Sequence, residues 1–190
     1  MLHLLLLAIL PLSTYGSACD AGQEFTTRDD LKAAVDACIA INPQGHDNMN
    51  TWDVSGVTNM VSLFKDLTEF NADISGWDTS NVENMEDTFR NAQNFNQPIG
   101  NWDTSKVTTM AWMFLDAYKF NQPIGDWDTS QVIRMDRMFM NAYVFNQPIG
   151  NWDTSKVERM QNMFRDAYKF NQPIGDWDTS QVTQMQDMFH

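Results

Sequence analysis

The chain has little of the chemistry on which most catalytic and metal sites depend. Its 190 residues include three histidines and two cysteines. Beyond the first apolar run, His46 lies in a polar segment and His190 stands at the last position. A Ser-His-Asp or Cys-His arrangement is therefore not expected, no His/Cys cluster has the spacing of a zinc site, and no phosphate-binding glycine loop occurs. The sequence predicts a protein that is not an enzyme and that needs no cofactor.

Basic residues are also scarce. Lys and Arg together number 12 against 25 Asp and Glu, which gives a formal net charge of −13. A chain this acidic is repelled by polyanions, because binding to them depends on basic side chains. Nucleic acid and anionic lipid surfaces are therefore not expected as partners.

Long apolar runs are absent except at the start of the chain. Residues 1–10 are almost all apolar, and residues 16–18 are small. This pattern predicts a secretory signal peptide over residues 1–18, although its first residues lack Lys or Arg. Pro11 and the polar residues after it make the run too short to cross a membrane. We expect a secreted or cell-surface protein with no membrane-spanning segment.

The two cysteines, Cys19 and Cys38, lie close together near the start of the chain. In an exported protein the first expectation is one disulfide between them. Two alternatives remain open. Cleavage after Ala18 would leave Cys19 at the N-terminus, where a bacterial lipoprotein carries its lipid, although Gly16 stands where such a signal usually has Leu. Both thiols could also be free.

What the sequence does have is an internal repeat of 25 residues. Its tryptophans recur at this interval without a slip, at Trp52, Trp77, Trp102, Trp127, Trp152 and Trp177. Val, Met and Phe recur in step, five, eight and twelve residues after each Trp, and a second Phe and an Ile follow later in each copy. A unit this short cannot bury its apolar side alone, so successive copies must stack. We call the residues at one position of successive copies a column.

The apolar residues within one copy predict a short helix after a short strand. At about 100° per residue they form one buried stripe, with Ser105 placed as an N-cap and Pro123 beyond the end. The stripe consists of Val107, Met110, Met113, Phe114 and Ala117. The predicted fold is an α/β repeat, a leucine-rich-repeat-like solenoid of 25-residue strand–helix units with the helices on its convex side.

A further helix is predicted before the repeats, over residues 25–40. Thr27 and Asp30 form a capping box in which Asp replaces the usual Glu, and Leu31, Ala34, Val35 and Cys38 make an apolar stripe. We expect this helix to cap the open end of the solenoid. The predicted organisation is a signal peptide (1–18), a cap helix with a polar linker (19–49), and six repeats (50–190). The last repeat stops inside a predicted helix, which indicates either a truncation or a cover supplied from elsewhere.

The repeat resembles a known family. The motif Phe-Asn-Gln-Pro-Ile-Gly-Asn/Asp-Trp-Asp-Thr-Ser-x-Val-x-x-Met-x-x-Met-Phe is similar to that of the BspA-like leucine-rich repeat surface proteins, also described as the mycoplasma lipoprotein-associated repeat family. The resemblance covers residues 50–190, with Val, Met, Phe and Trp where Leu is usual. It implies a leucine-rich-repeat solenoid, export or surface display, and a role in adhesion or recognition. It supplies no catalytic residues.

An aspartate follows each column tryptophan, and its carboxylates must stack. One explanation is that each carboxylate accepts backbone N–H bonds at the turn that enters the helix. The other is a calcium site bridging adjacent copies, for which the candidates are Asp78, Asp103, Asp128 and Asp153. Calcium binding would favour a structural or matrix protein as an alternative function. A threonine column after the aspartates would suit helix capping or, less simply, an ice-binding face.

One surface feature points to a partner. Residues 101–140 repeat as 151–190 with ten differences, all of them at positions predicted to face away from the buried stripe. Drift at unconstrained positions explains such differences without a function. The alternative is a binding patch on this face, since exposed apolar clusters often mark interfaces. The candidate residues are Trp112, Leu115, Ile133 and Met140. The function predicted from the whole sequence is adhesion or recognition, without catalysis, of an extracellular protein or glycan.

Overall fold

The computed structural model describes residues 19–41 and 48–189. The predicted signal peptide, the central part of the linker and His190 lie outside the described residues. The regular elements of the described residues are one α-helix, α1, at Arg28–Ile41, and a 3₁₀-helix at Met49–Thr51. None of the described helices is long and apolar enough to cross a membrane.

Helix α1 forms where the sequence places it and begins with the expected cap. The Thr27 hydroxyl accepts a hydrogen bond from the Asp30 N–H at 3.2 Å and donates one to the Asp30 carboxylate at 2.6 Å. Leu31, Val35 and Cys38 are fully buried, and a disulfide joins Cys38 to Cys19. The helix therefore contributes its apolar face to the same core as the first copies of the repeat.

The repeats stack in register, with equivalent residues of successive copies side by side. Isolated parallel bridges connect one column along the whole stack, and a further bridge joins Glu24 to Asp53 at the N-terminal end. The column consists of Asn59, Asn84, Thr109, Arg134, Arg159 and Gln184. A bridge every 25 residues means that each copy forms one complete coil of the stack.

The predicted strand–helix unit is wrong, and the fold is not an α/β repeat solenoid. The described part of each copy contains no α-helix and no strand, and its chain runs through successive turns. In the segment predicted as a helix, the Met113 N–H donates to the Met110 carbonyl at 3.2 Å, and the Ala117 N–H to the Phe114 carbonyl at 3.1 Å. These bonds span three residues, as in β-turns, whereas an α-helix spans four.

The remaining amides of this segment bond to the next copy. The N–H groups of Met110, Trp112 and Phe114 each donate at 2.9 Å, to the carbonyls of Arg134, Asp136 and Met138 respectively. Backbone groups that a helix would satisfy internally are thus satisfied between copies, as burial requires. The stack of turns therefore competes directly with the helix for the same donors.

Left-handed backbone at two positions per copy makes the helix impossible. Trp112 has a φ of 63° and Asp116 a φ of 60°, whereas a helical residue has a φ near −63°. A positive φ at the third residue is what a type II turn requires, and Asn and Asp tolerate it better than most residues. Most residues at these two positions are of that kind: Ser62, Asp66, Asp87, Asn91, Asp116, Asn141, Asn162, Asp166 and Asp187.

The core consists of aromatic columns that continue through the stack. One phenylalanine column, Phe64 to Phe189, has ring centroids 5.1–5.6 Å apart, which is a favourable stacking distance. The tryptophan column is buried, with Trp127 only 3% exposed, and the Trp127 indole N–H donates to the Ile99 carbonyl of the preceding copy at 3.1 Å. Each buried indole therefore ties two copies together.

An asparagine column adds a polar ladder beside this core. The Asn121 N–H donates to the Asn96 side-chain oxygen, and the Asn146 N–H donates to that of Asn121, both at 2.9 Å. The Gln147 amide also donates to the Asn121 carbonyl at 2.9 Å. These side chains join copies and need no ligand.

Close packing between copies also fixes a glycine column. A Cβ atom at Gly100 would lie 2.3 Å from the Pro123 carbonyl oxygen, and one at Gly125 would lie 2.4 Å from that of Pro148. Both distances are shorter than any real contact, so only glycine lets the copies approach this closely.

Candidate functional site

The aspartate column forms turns within each copy. The Asp103 carboxylate accepts the Ser105 N–H at 2.9 Å, and Asp153 accepts the Ser155 N–H at the same distance. Hydrogen bonds from the side chain and backbone of the following serine lower the pKa of both carboxyl groups. The backbone role expected of this column is therefore present, but at a turn and not at a helix entry.

The calcium candidates do not converge on one point. Asp78, Asp103, Asp128 and Asp153 each bond to the serine two residues later. Within residues 19–41 and 48–189, no group of three or more His, Cys, Asp or Glu side chains is placed to hold a metal. Calcium binding stays a hypothesis from the sequence, with no assembled site behind it in this part of the chain.

The threonine column is buried over most of its length. Thr79, Thr104, Thr129 and Thr154 are each 1% exposed. Their hydroxyls donate at 2.9 Å to the aspartate carbonyls of the next copy. A buried hydroxyl cannot order surface water, so these residues do not form an ice-binding face.

The four residues of the predicted patch differ in exposure and do not form one apolar surface. Leu115 is buried, at 7% exposed, whereas Ile133 is 40% exposed. Ile133 lines a shallow pocket with Ser155 and Glu158, and Trp112 and Met140 are partly buried. The expectation that all ten differences face outward is also wrong, because Ala111, Leu115 and Asp136 are buried. The single helix face that the sequence predicted does not exist.

Trp112 instead lies in a charged clamp. The guanidinium carbons of Arg90 and Arg137 lie 4.8 and 4.9 Å from the centroid of its rings, within the range of cation–π attraction. Its indole N–H donates to the Asp136 carboxylate at 2.9 Å, and Asp136 is only 2% exposed. Arg134 donates to both Asp136, at 3.2 Å, and Glu86, at 3.1 Å.

Five of the six arginines share one part of the repeat with Trp112. They all follow a column tryptophan by 7–13 residues, the segment that the inter-copy backbone bonds hold side by side. We call the surface formed by this segment the arginine–tryptophan face. Its members are Arg90, Trp112, Arg134, Arg137, Arg159 and Arg165. In a chain of net charge −13, it concentrates nearly all the guanidinium groups on one side of the stack.

Two of these arginines are neutralised within the face. Arg90 pairs with Asp87 at 3.4 Å, and Arg134 pairs with Glu86 and with Asp136. Burial of Arg134 disfavours its charge, but the hydrogen bond and charge of Asp136 outweigh this and the charge of Glu86 adds to them, so its pKa is raised above the usual value. These pairs fix the clamp around Trp112.

A second exposed column was missed from the sequence. Tyr118, Tyr143 and Tyr168 stack with ring centroids 4.7 and 5.4 Å apart, and Tyr168 is 70% exposed. Asp166 raises the pKa of Tyr168 through its charge and through a hydrogen bond. The signal was visible, because Tyr recurs 16 residues after the column tryptophan in three consecutive copies. The ring faces cover one another, so this column presents mainly edges.

Comparison with protein families places this geometry. Residues 29–142 and 123–190 match the family described as "Mycoplasma protein of unknown function, DUF285". The chain therefore belongs to this repeat family. The finer assignment to BspA-like leucine-rich repeat proteins is not supported by this match. Searches of curated proteins and of solved structures found no match.

Proposed function

We propose that this is a secreted or cell-surface recognition protein without catalytic activity, which binds an extracellular protein through the arginine–tryptophan face. The observation that carries the proposal is Trp112. Its six column counterparts are buried and bonded between copies, whereas Trp112 stands outside that column and is partly exposed between two arginines.

The backbone at Trp112 argues against a packing role. Its φ of 63° is a conformation that large side chains rarely adopt, and the equivalent residue one duplication later is Asn162, with a φ of 57°. The same turn therefore forms with a residue that suits it better. Tryptophan and arginine are the residue types that most often dominate protein interfaces.

Export is supported by the disulfide. Disulfides persist in oxidising compartments and are rare in reducing ones, and the bond between Cys19 and Cys38 closes the described segment before the repeats. A bond to Cys38 also favours the disulfide over the free-thiol alternative for Cys19. The location follows as a proposal together with the apolar first residues of the chain.

The test replaces Trp112 with the residue that its own duplicate carries. Proteins captured from the extracellular fluid of the native culture are identified, and the affinity of a purified one is measured for the wild type and for Trp112→Asn. We expect at least about a tenfold loss of affinity, because truncated aromatic anchors at interfaces commonly cost that much. Far-UV circular dichroism and a thermal melt check that the variant folds.

The matched control is Tyr143→Gln, which replaces an exposed aromatic in another column with the residue that Gln93 places there. Binding that survives Tyr143→Gln but not Trp112→Asn supports the proposed face. Unchanged affinity in a folded Trp112→Asn variant would contradict it and would leave drift as the explanation of the differences between the copies.

A further inference from the structure

We infer that the partner segment bound by the arginine–tryptophan face is an acidic peptide segment, whose carboxylates pair with Arg137, Arg159 and Arg165. This inference rests on the proposed function, since it names the chemistry of the partner at the same face. It follows from the charges that the face leaves unpaired.

Arg137 is held in place without an ion pair among the described residues. Its guanidinium lies over the Trp112 rings, 4.9 Å from their centroid, and its backbone N–H donates to the Gln161 carbonyl at 3.0 Å. Stacking on an aromatic ring leaves the guanidinium edge free to bind a carboxylate in a bidentate manner. Arg137 is therefore positioned before any partner arrives.

Arg159 and Arg165 flank the same point on the next copy. Arg159 is exposed and has no side-chain hydrogen bond or ion pair within the described residues. Arg165 approaches Asp166 at 3.6 Å, too far for a hydrogen bond, and its buried Nε has no hydrogen-bond partner there. The side-chain oxygen of Gln161, which lies between the two arginines in sequence, is also buried without a partner. This is the polar part of the face that the protein itself does not satisfy.

The acids near these arginines are mostly engaged elsewhere. Glu86 and Asp136 pair with Arg134, and Asp87 lies within 3.4 Å of Arg90 and 3.8 Å of Lys65. Glu158 and Asp166 are the acids adjacent in sequence to Arg159 and Arg165. The local charge is therefore basic only over a short distance, and the net charge of −13 repels an extended polyanion. A short acidic segment of a protein fits this field better than a sulfated polysaccharide.

The experiment measures binding of a fluorescein-labelled peptide of four alternating Glu-Leu pairs to the full chain by fluorescence anisotropy. The variant Arg159→Thr/Arg165→Leu removes two guanidinium groups by using the residues that Thr109 and Leu115 place in the same columns. We expect this variant to weaken binding by about 5- to 20-fold, since each exposed ion pair contributes up to about fivefold. Raising NaCl from 50 to 300 mM should weaken wild-type binding as well.

The charge-matched control is Lys106→Gln/Lys156→Gln, which removes two positive charges from another column where Gln131 and Gln181 already stand. We expect a change of less than twofold. Equal losses in the two double variants would show a net-charge effect and would overturn the inference. So would a wild type that fails to bind the peptide, or one that binds a heparin oligosaccharide more tightly than the peptide.

The two proposals fail in different ways. If the captured partner needs Trp112 but tolerates Arg159→Thr/Arg165→Leu, the recognition face stands and the acidic partner is wrong. If the partner tolerates both changes in folded protein, the face itself is wrong.

Discussion

Two regions of this chain share one apolar spacing and fold differently. In α1, Leu31, Ala34, Val35 and Cys38 lie at positions i, i+3, i+4 and i+7. In the third repeat, Met110, Met113, Phe114 and Ala117 have the same spacing. The first set forms an α-helix, whereas the second lies on successive turns.

The difference comes from the neighbours and not from the apolar residues. Each repeat segment lies beside copies in the same register, which offer a carbonyl to every second N–H, as Arg134 does to Met110 at 2.9 Å. The α1 segment has no such copy, and its Lys, Ala and Asp residues support a capped helix. Hydrophobic spacing therefore reports which residues are buried, and the repeat decides which backbone bonds they use.

The largest expected effect comes from removing a column residue. Trp127→Ala should lower the free energy of unfolding by about 3–5 kcal/mol, as a fully buried aromatic truncation does. It also leaves the Ile99 carbonyl without the indole donor. Urea denaturation measures the change, with Trp112→Asn as the comparison, for which we expect about 1 kcal/mol or less. Equal losses in the two variants would mean that Trp112 belongs to the core.

The asparagine ladder exists only in the repeats and should be the next most sensitive feature. Asn121→Ala removes the acceptor of the Asn146 N–H, and a partly buried donor without a partner costs about 1–3 kcal/mol. Asn121→Asp keeps the oxygen acceptor and should lose less. A thermal melt or urea titration of both variants tests this, and an Asp variant as unstable as the Ala variant would show that the ladder is not the reason.

Two hydroxyl residues that the sequence places as helix caps should behave differently. Thr27→Ala removes a real N-cap and should cost about 1 kcal/mol. Ser105 begins no helix, and its N–H is held by Asp103, so Ser105→Ala should change stability by about 0.5 kcal/mol or less. Denaturation of the two variants side by side compares the regions directly. A larger loss at Ser105 would favour a helix in the repeat.

The smallest expected effect is a pH dependence of the aspartate turns. Hydrogen bonds from the following serine lower the pKa of Asp103 and Asp153 below the usual 3.8. A depressed pKa stabilises the folded state above pH 3.8, and this contribution is lost as the pH falls through the folded pKa. Melting temperature should therefore drop below about pH 4, and Asp103→Asn/Asp153→Asn should make the drop shallower. An unchanged slope would show that these turns do not contribute.

Much of the arrangement could be predicted from the sequence. The 25-residue period, the buried Trp and Phe columns and the capped α1 are all readable, because they depend on local residue pattern. The turns could not be read in the same way, since i, i+3, i+4, i+7 spacing suits both a helix and a chain of turns. Asp66, Asn91 and Asn141 at one recurring position were a usable signal of left-handed backbone.

The candidate site was less predictable than the core. Trp112 was identified as the tryptophan outside the column, but its clamp was not. Arg90 lies 22 residues before Trp112 and Arg137 lies 25 residues after it, so their convergence depends on how the copies stack. Leu115 was expected at the surface because the predicted helix turned it outward, and the observed turn buries it.

The central claim is that backbone bonds of the repeat run between copies, and one NMR measurement tests it directly. A scalar coupling across a hydrogen bond identifies the carbonyl that accepts a given amide proton. The account predicts a coupling from the Phe114 nitrogen to the Met138 carbonyl, whose oxygen lies 2.9 Å away. A coupling from Phe114 to the Met110 carbonyl, four residues earlier, would mean that the segment is an α-helix and would contradict the account.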